Sequence, residues 1–194
     1  MGVIFKILRH SSIILSLFVA LFFAIMANAQ VITPTIKTGI EQKFNVYLTG
    51  YSYWDNTPPE SAIISHPVIH KIAGGTGSFT DPITLAVGHS IIEGKDILDF
   101  PAGTKFYIAL LRKYAIVEDS CGDGDSPQNV PCHIGYKGVP WLDIYVDGAG
   151  LKKEMSDQCA SHITDIQMVI LTPKPNYPVV LGSITNSGCE IFKD

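Results

Sequence analysis

The sequence predicts a mainly β chain whose short strands close as a barrel or stack as a sandwich. Two kinds of observation point there. Windows such as "QKFNVYLTGYSYW" (42–54) and "WLDIYVDG" (141–148) are rich in β-branched and aromatic residues and alternate in polarity. Between such windows lie turns built on Gly and Pro, which number 17 and 12 in 194 residues. No internal repeat and no linker divides the chain, which is long enough for one domain with a real core.

The elements follow in order. Residues 42–54 read as a strand, and "NTPPES" stops it. "SAIISHPVIHKIA" is apolar but broken by Pro67, so extended pieces and a single short helical turn both fit. "GGTGSFTDP" (74–82) is a glycine-rich loop, and "ITLAVG" (83–88) a short buried strand. "PAGTKFYIALLRKYAIVED" (101–119) reads as turn, strand, a second turn near Arg112-Lys113, and strand. In 141–148, Leu142, Ile144 and Val146 share one face, and Trp141, Asp143, Tyr145 and Asp147 the other. "KKEMSDQCASHI" (152–163) is the best helix candidate, and "ITDIQMVILTP" (163–173) the final strand. From 174 onward the chain reads as an irregular tail tied down through Cys189.

The first 29 residues read as a signal peptide. Lys6, Arg9 and His10 precede an apolar run from Ile13 to Met26, and Ala27-Asn28-Ala29 supplies a small-x-small cleavage site. The run of 14 residues is shorter than the roughly 20 a membrane span needs. A retained anchor is the alternative. Cleavage leaves residues 30–194 as one secreted or periplasmic domain with 12 Lys+Arg against 18 Asp+Glu, a net charge of −6. Such a surface disfavours nucleic acid and a polybasic membrane dock. It leaves glycans, proteins or small molecules as partners of a monomer. Four cysteines, Cys121, Cys132, Cys159 and Cys189, suit two disulfides in an exported chain. Three pairings are possible. The short Gly/Asp/Pro-rich loop favours Cys121–Cys132, which leaves Cys159–Cys189. Zinc is disfavoured because no C-x2-4-C pair exists.

The chemistry-bearing residues are fewer. "GGTGSF" lacks the Gly-Lys-Ser/Thr of a phosphate loop and the following helix of a dinucleotide site. It reads as a tight turn needing positive φ, or as a glycan-facing loop that offers Thr76 and Asp81. His66 and His70 stand at i, i+4, but Pro67 between them argues against a helical metal site; no metal and no cofactor is expected. No G-x-S-x-G supports a serine triad. Carboxylates are the strongest candidates. Asp143 sits between Trp141 and Tyr145, and Asp55 follows Tyr53 and Trp54. Aromatic surroundings strip water from a carboxylate and raise its pKa, as a general acid requires. Tyr53, Trp54, Trp141 and Tyr145 offer stacking surface for sugar rings. Asp55 and Asp119 also fit the plainer role of strand-end hydrogen-bond acceptors.

Taken together, "PAGTKFYI", "YAIVEDSCGD" and "WLDIYVDG" resemble the rare lipoprotein A, barwin and expansin group. That resemblance implies a six-stranded double-psi β-barrel with one or two short helices. The Asp of the group's Asp-x-Cys segment matches Asp119, and that of its His-Phe/Leu-Asp-Leu strand matches Asp143, with Trp141 in place of the His. "GYSYWDN" is similar to the Tyr-Trp-Asp start of the distantly related family 45 endoglucanases, which implies Asp55 as base and Asp143 as acid. Asn56-Thr57-Pro58-Pro59 replaces the paired cysteines of those enzymes. The resemblance spans roughly 47 to 172.

Three functions follow as expectations. The first is a secreted expansin-like or rare lipoprotein A-like protein that binds or remodels cell-wall polysaccharide. The second is a glycoside hydrolase or lytic transglycosylase with Asp143 as acid. The third is a non-enzymatic exported effector or inhibitor.

Overall fold

The computed structural model describes residues 34–37 and 39–193. The signal peptide expected at 1–29 lies outside them. Seven strands form among the described residues: β1 Gln42–Tyr51, β2 Ile83–Ile92, β3 Lys95–Leu98, β4 Lys105–Ile108, β5 Lys113–Cys121, β6 Trp141–Tyr145 and β7 Asp165–Leu171. Two helices accompany them, α1 Pro131–Ile134 and α2 Lys153–Ile163. No helix among the described residues is long and apolar enough to cross a membrane.

Six strands close in the order β2-β5-β4-β7-β1-β6, and β6 returns to β2. β3 hangs on the outside of β2 as a hairpin partner. The barrel is mixed: β1 with β6 and β2 with β5 run parallel, and every other pair is antiparallel. The chain is thus mainly β, with a closed six-stranded barrel plus one extra strand, as its alternating windows predict. The core follows the alternation. Val46, Leu48, Leu85, Val117, Leu142 and Ile144 all lack exposed surface and share one apolar cluster.

The structure adds elements that the sequence reading lacks. β2 continues past Gly88 to Ile92 and turns back through Glu93 and Gly94, both at positive φ. That pair matches the two-residue hairpin turn in which both central residues are left-handed. The stretch 61–73 forms neither strand nor helix. In the glycine loop, Gly75 has φ +103° and a Cβ there would strike the Pro82 backbone, so the tight-turn reading holds.

The tail is irregular and fastened, as expected. The disulfides pair Cys121 with Cys132 and Cys159 with Cys189, the second tying α2 to the tail. Lys113, almost wholly buried, donates to the carbonyls of Val180 and Gly182 at 2.7 and 2.8 Å. Burial lowers its pKa to about 8. Tyr107 and Tyr114 donate to the Pro178 and Lys174 carbonyls.

Candidate functional site

The parallel register of β1 on β6 pairs Tyr47 with Trp141, Thr49 with Asp143 and Tyr51 with Tyr145. All six side chains leave the barrel wall on one face, since their neighbours Leu48, Leu142 and Ile144 point into the core. Across β2, Ala86 stands opposite Asp143 on one side and Asp119 on the other. The β2–β5 register skips Glu118 between Leu85 and Ala86, which marks a β-bulge. Through it two consecutive acids, Glu118 and Asp119, both serve the segment that covers this face.

Those two acids hold residues 65–70 of the stretch 61–73. Asp119 accepts from the Ser65 N–H and hydroxyl, each at 3.0 Å, from the Ser120 N–H at 2.9 Å and from the Tyr51 hydroxyl at 2.9 Å. Glu118 has no exposed surface. Its Oε1 accepts from the N–H groups of Val68, Ile69 and His70 at 2.7–3.2 Å. Its Oε2 accepts from His70 Nδ1 at 2.6 Å, and His70 Nε2 reaches Asp81 at 2.9 Å. Carboxylates only accept, so both ring nitrogens donate and the ring is an imidazolium. Burial alone would lower the His70 pKa, but the bonds to Asp81 and Glu118 outweigh it and the net shift is upward. Burial likewise pushes Glu118 up, and its backbone and His70 hydrogen bonds bring the net shift down.

A cleft of about 370 Å³ opens beside this clamp. Asp143, Asp119, Asp55, Tyr51, Ser65 and Cys121 are among its lining residues. Asp143 keeps part of its surface open to the cleft. Enough protein surrounds its carboxyl that lost hydration, helped by Asp55 and Asp119, raises its pKa to about 7. Thr49 opposes the shift by donating to Oδ1 at 2.6 Å. The indole Nε1 of Trp141 donates to the Thr49 oxygen at 2.7 Å. An indole N–H only donates, so the Thr49 proton is aimed at Asp143 Oδ1. A proton carried by Asp143 therefore sits on Oδ2. The Cys121 sulfur lies 4.0 Å from Oδ2; as a disulfide sulfur it has no proton to give, and the approach is a packing contact. Replacing Thr49 by valine is expected to raise the Asp143 midpoint above 7 while keeping the side-chain shape. A carboxyl-carbon NMR titration reads it, and an unchanged midpoint contradicts the relay.

Of the sequence candidates, Asp143, Asp119 and Asp55 therefore meet at one cleft. Asp55 sits exposed at its rim, where Oδ1 accepts from both the N–H and the hydroxyl of Ser52 at 2.7 Å. It caps a turn and lines the cleft at once. Asn56 secures the same turn by donating to the carbonyls of Ser61 and Ile63. The aromatics do not form one groove. Trp141 packs edge-on against Tyr47 at 4.7 Å, beside Tyr136. Trp54 donates to the Gly148 carbonyl at 3.0 Å and meets Tyr53 edge to face. Tyr145 packs on Tyr51 and, with Thr76 and Asp81, lines a second hollow. His66 and His70 share no helix: His66 Nδ1 meets Ser65, while His70 turns to its carboxylates. No group of three or more His, Cys, Asp or Glu side chains among the described residues is placed to hold a metal ion. Thr49 and Glu118 are the site residues that sequence reasoning missed, and His70, weighed there only as a metal ligand, is the cation between Glu118 and Asp81.

Fold and cleft define a class: a closed, mixed β-barrel with a carboxylate-floored cleft under a clamped cover. Residues 43–190 match the family described as the DDB_G0273701 N-terminal domain, and the chain belongs to that family. It is similar to a Dictyostelium discoideum protein, "Uncharacterized protein DDB_G0273701/DDB_G0273221", at 40% identity over 86 residues, which is 44% of this chain and 34% of that protein. The match thus spans about a third of that relative's length. No solved structure matches the chain.

Proposed function

We propose that this is an exported double-psi β-barrel protein, similar to rare lipoprotein A and the expansins, that binds and remodels cell-wall polysaccharide in the cleft floored by Asp143. A closed six-stranded mixed barrel with two parallel pairs is compatible with that fold. One observation carries the functional reading: a cleft carboxyl with a pKa of about 7 whose proton is directed to the oxygen away from Thr49. Such a group donates a hydrogen bond to a sugar oxygen at neutral pH, which an ordinary ionised Asp does not.

The same observation favours lytic cleavage as a second reading. Asp143 would pass its proton to the glycosidic oxygen as the bond from the anomeric carbon breaks. A hydroxyl of the same sugar would close an anhydro ring and return its proton to Asp143. No separate base is required, which suits an Asp55 already occupied by Ser52.

The test uses residues 30–194 and the Asp143→Asn variant, each incubated with insoluble cellulose and with peptidoglycan sacculi. Wild-type protein pelleting with one polymer supports binding, and anhydro-ended products absent with the variant support lysis. Failure to pellet with either polymer, with no soluble product, overturns the proposal.

A further inference from the structure

The second hollow, about 320 Å³, is a site in its own right. It opens on the same β6 face as the cleft, two residues further along the strand, and the Tyr51–Tyr145 ring pair at 5.3 Å stands between the two. Ala73, Gly75, Asp147, Gly182 and Asn186 are among the residues around it. Its size is at the lower end of the roughly 300–1,000 Å³ of small-ligand sites.

The observation that points to a ligand is Tyr145. The residue is only 3% exposed, yet its hydroxyl has no hydrogen-bond partner among the described residues, and it borders the hollow. Buried tyrosine hydroxyls ordinarily find a partner. Tyr107 and Tyr114 on the neighbouring face do so, through the carbonyls of Pro178 and Lys174. Tyr51, its own ring partner, uses Asp119. Tyr145 alone of these four has no protein partner for its hydroxyl among the described residues, and it borders the hollow beside Asp147.

The lining decides what fits. It contains no lysine, arginine or histidine and two carboxylates, Asp81 and Asp147, so an anion is excluded. Asp81 is already committed, to His70 through Oδ1 and to the Thr76 N–H through Oδ2. That leaves one carboxylate, too few for a cation that takes six or more oxygens. What remains is a mixture of acceptor and donor groups: the Asp147 carboxylate, the Tyr145 hydroxyl and the Asn186 amide, with Ser183 already engaged by Thr185 and the Asn186 N–H. This set matches a neutral molecule with adjacent hydroxyls.

We propose that the hollow walled by Tyr145 and Asp147 binds a neutral sugar unit, at a site separate from the Asp143 cleft. The inference of a sugar, rather than another polyol, rests on the polysaccharide reading above. The hollow would take a different unit from the one that meets Asp143.

The experiment is an amide-resolved NMR titration of residues 30–194 with cellotetraose and, separately, with tetra-N-acetylchitotetraose. Expected are saturable shifts at Tyr145, Asp147 and 182–186 with one of the two sugars. Tyr145→Phe should weaken that binding about three- to tenfold, the scale of one hydrogen bond. Shifts confined to the cleft residues, with none at the hollow, overturn the second site and leave the cleft reading standing. Shifts at the hollow alone retain the second site and count against the cleft. Absence of any saturable shift at millimolar sugar, or equal affinity of the Tyr145→Phe variant, overturns the proposal.

Discussion

Replacing Glu118 by alanine is expected to cost about 3–5 kcal/mol, the scale for removing one partner of a buried charge pair. For a domain of this size that lowers Tm by roughly 10 °C. Three N–H groups and the His70 imidazolium all lose their acceptor at once. The pH profile adds a signature. The folded pKa of His70 is raised above 6.5, so its contribution is full below 6.5 and is lost as pH rises through the raised value. Those of Glu118 and Asp81 are lowered below 4.5 and 3.8, so their contributions are full above those values and are lost as pH falls through the lowered ones. For Asp81 the His70 bond is the largest cause. The clamp is therefore strongest between pH 4.5 and 6.5. Thermal melts of both proteins from about pH 4 to 9 should show the gap widest in that window. A loss under about 1 kcal/mol would rank Glu118 with surface ion pairs and sink the clamp. His89 on β2 behaves alike: its two nitrogens donate to Asp96 and to the Gly122 carbonyl, and its net pKa shift is upward despite burial.

The second large effect is at Asp143, and its sign is opposite. Asp143→Asn is expected to stabilise the protein at alkaline pH while removing the proton that the cleft offers. The wild-type carboxyl has a folded pKa of about 7 against an ordinary value of 3.8, because burial strips its hydration. Folding therefore favours its protonated form. That stability is full below 3.8 and is lost as pH rises through 7. The difference amounts to roughly 4 kcal/mol by the end of the titration. The asparagine variant has no such penalty, so its advantage should open above about pH 4 and level off by about pH 8. Denaturant midpoints across that range provide the check, and parallel curves for the two proteins would contradict the titration. Should the wall-remodelling activity exist, the variant should lose it by a factor of about 10²–10⁴, the usual worth of a general acid. A residue whose removal stabilises the fold is one retained for something other than stability.

Local features were legible in the sequence, and pairings across the fold were not. The alternation of 141–148 gave β6, its inward face and the outward Asp143 without further help. The β2–β3 hairpin was missed although "IIEGKDIL" carries its signal, a residue-Gly pair between two apolar runs. Glu118 was overlooked because it ends the apolar run "YAIV" beside the more familiar Asp119. A glutamate inside a buried strand is almost never unpaired, and that rule would have asked for a partner. No rule would have named His70, 48 residues upstream and read only as one of an i, i+4 pair, as that partner. Thr49 lies 94 residues from the carboxyl it orients and reads locally as one more strand threonine. The aromatics were expected to gather around sugar. Trp54 and Trp141 are instead each held by an indole hydrogen bond, to Gly148 and to Thr49. Which ring faces which hollow depends on the parallel register of β1 and β6, and nothing in either segment encodes that register alone.

That parallel register also bears on biosynthesis. β1 is made early, yet its neighbours in the sheet are β6 and β7, residues 141–145 and 165–171. At roughly 5–20 residues per second, a ribosome needs on the order of ten seconds to go from the end of β1 to the start of β7. Until β6 emerges, about 90 residues into that interval, a ten-residue strand carrying Phe44, Val46 and Leu48 has no sheet partner, and its β7 side stays unpaired to the end. Such late, long-range closure makes for slow folding and an aggregation-exposed nascent chain. The barrel can close only once nearly all of it has been synthesised, so a holding chaperone should raise the yield of native protein more than a faster translation rate would.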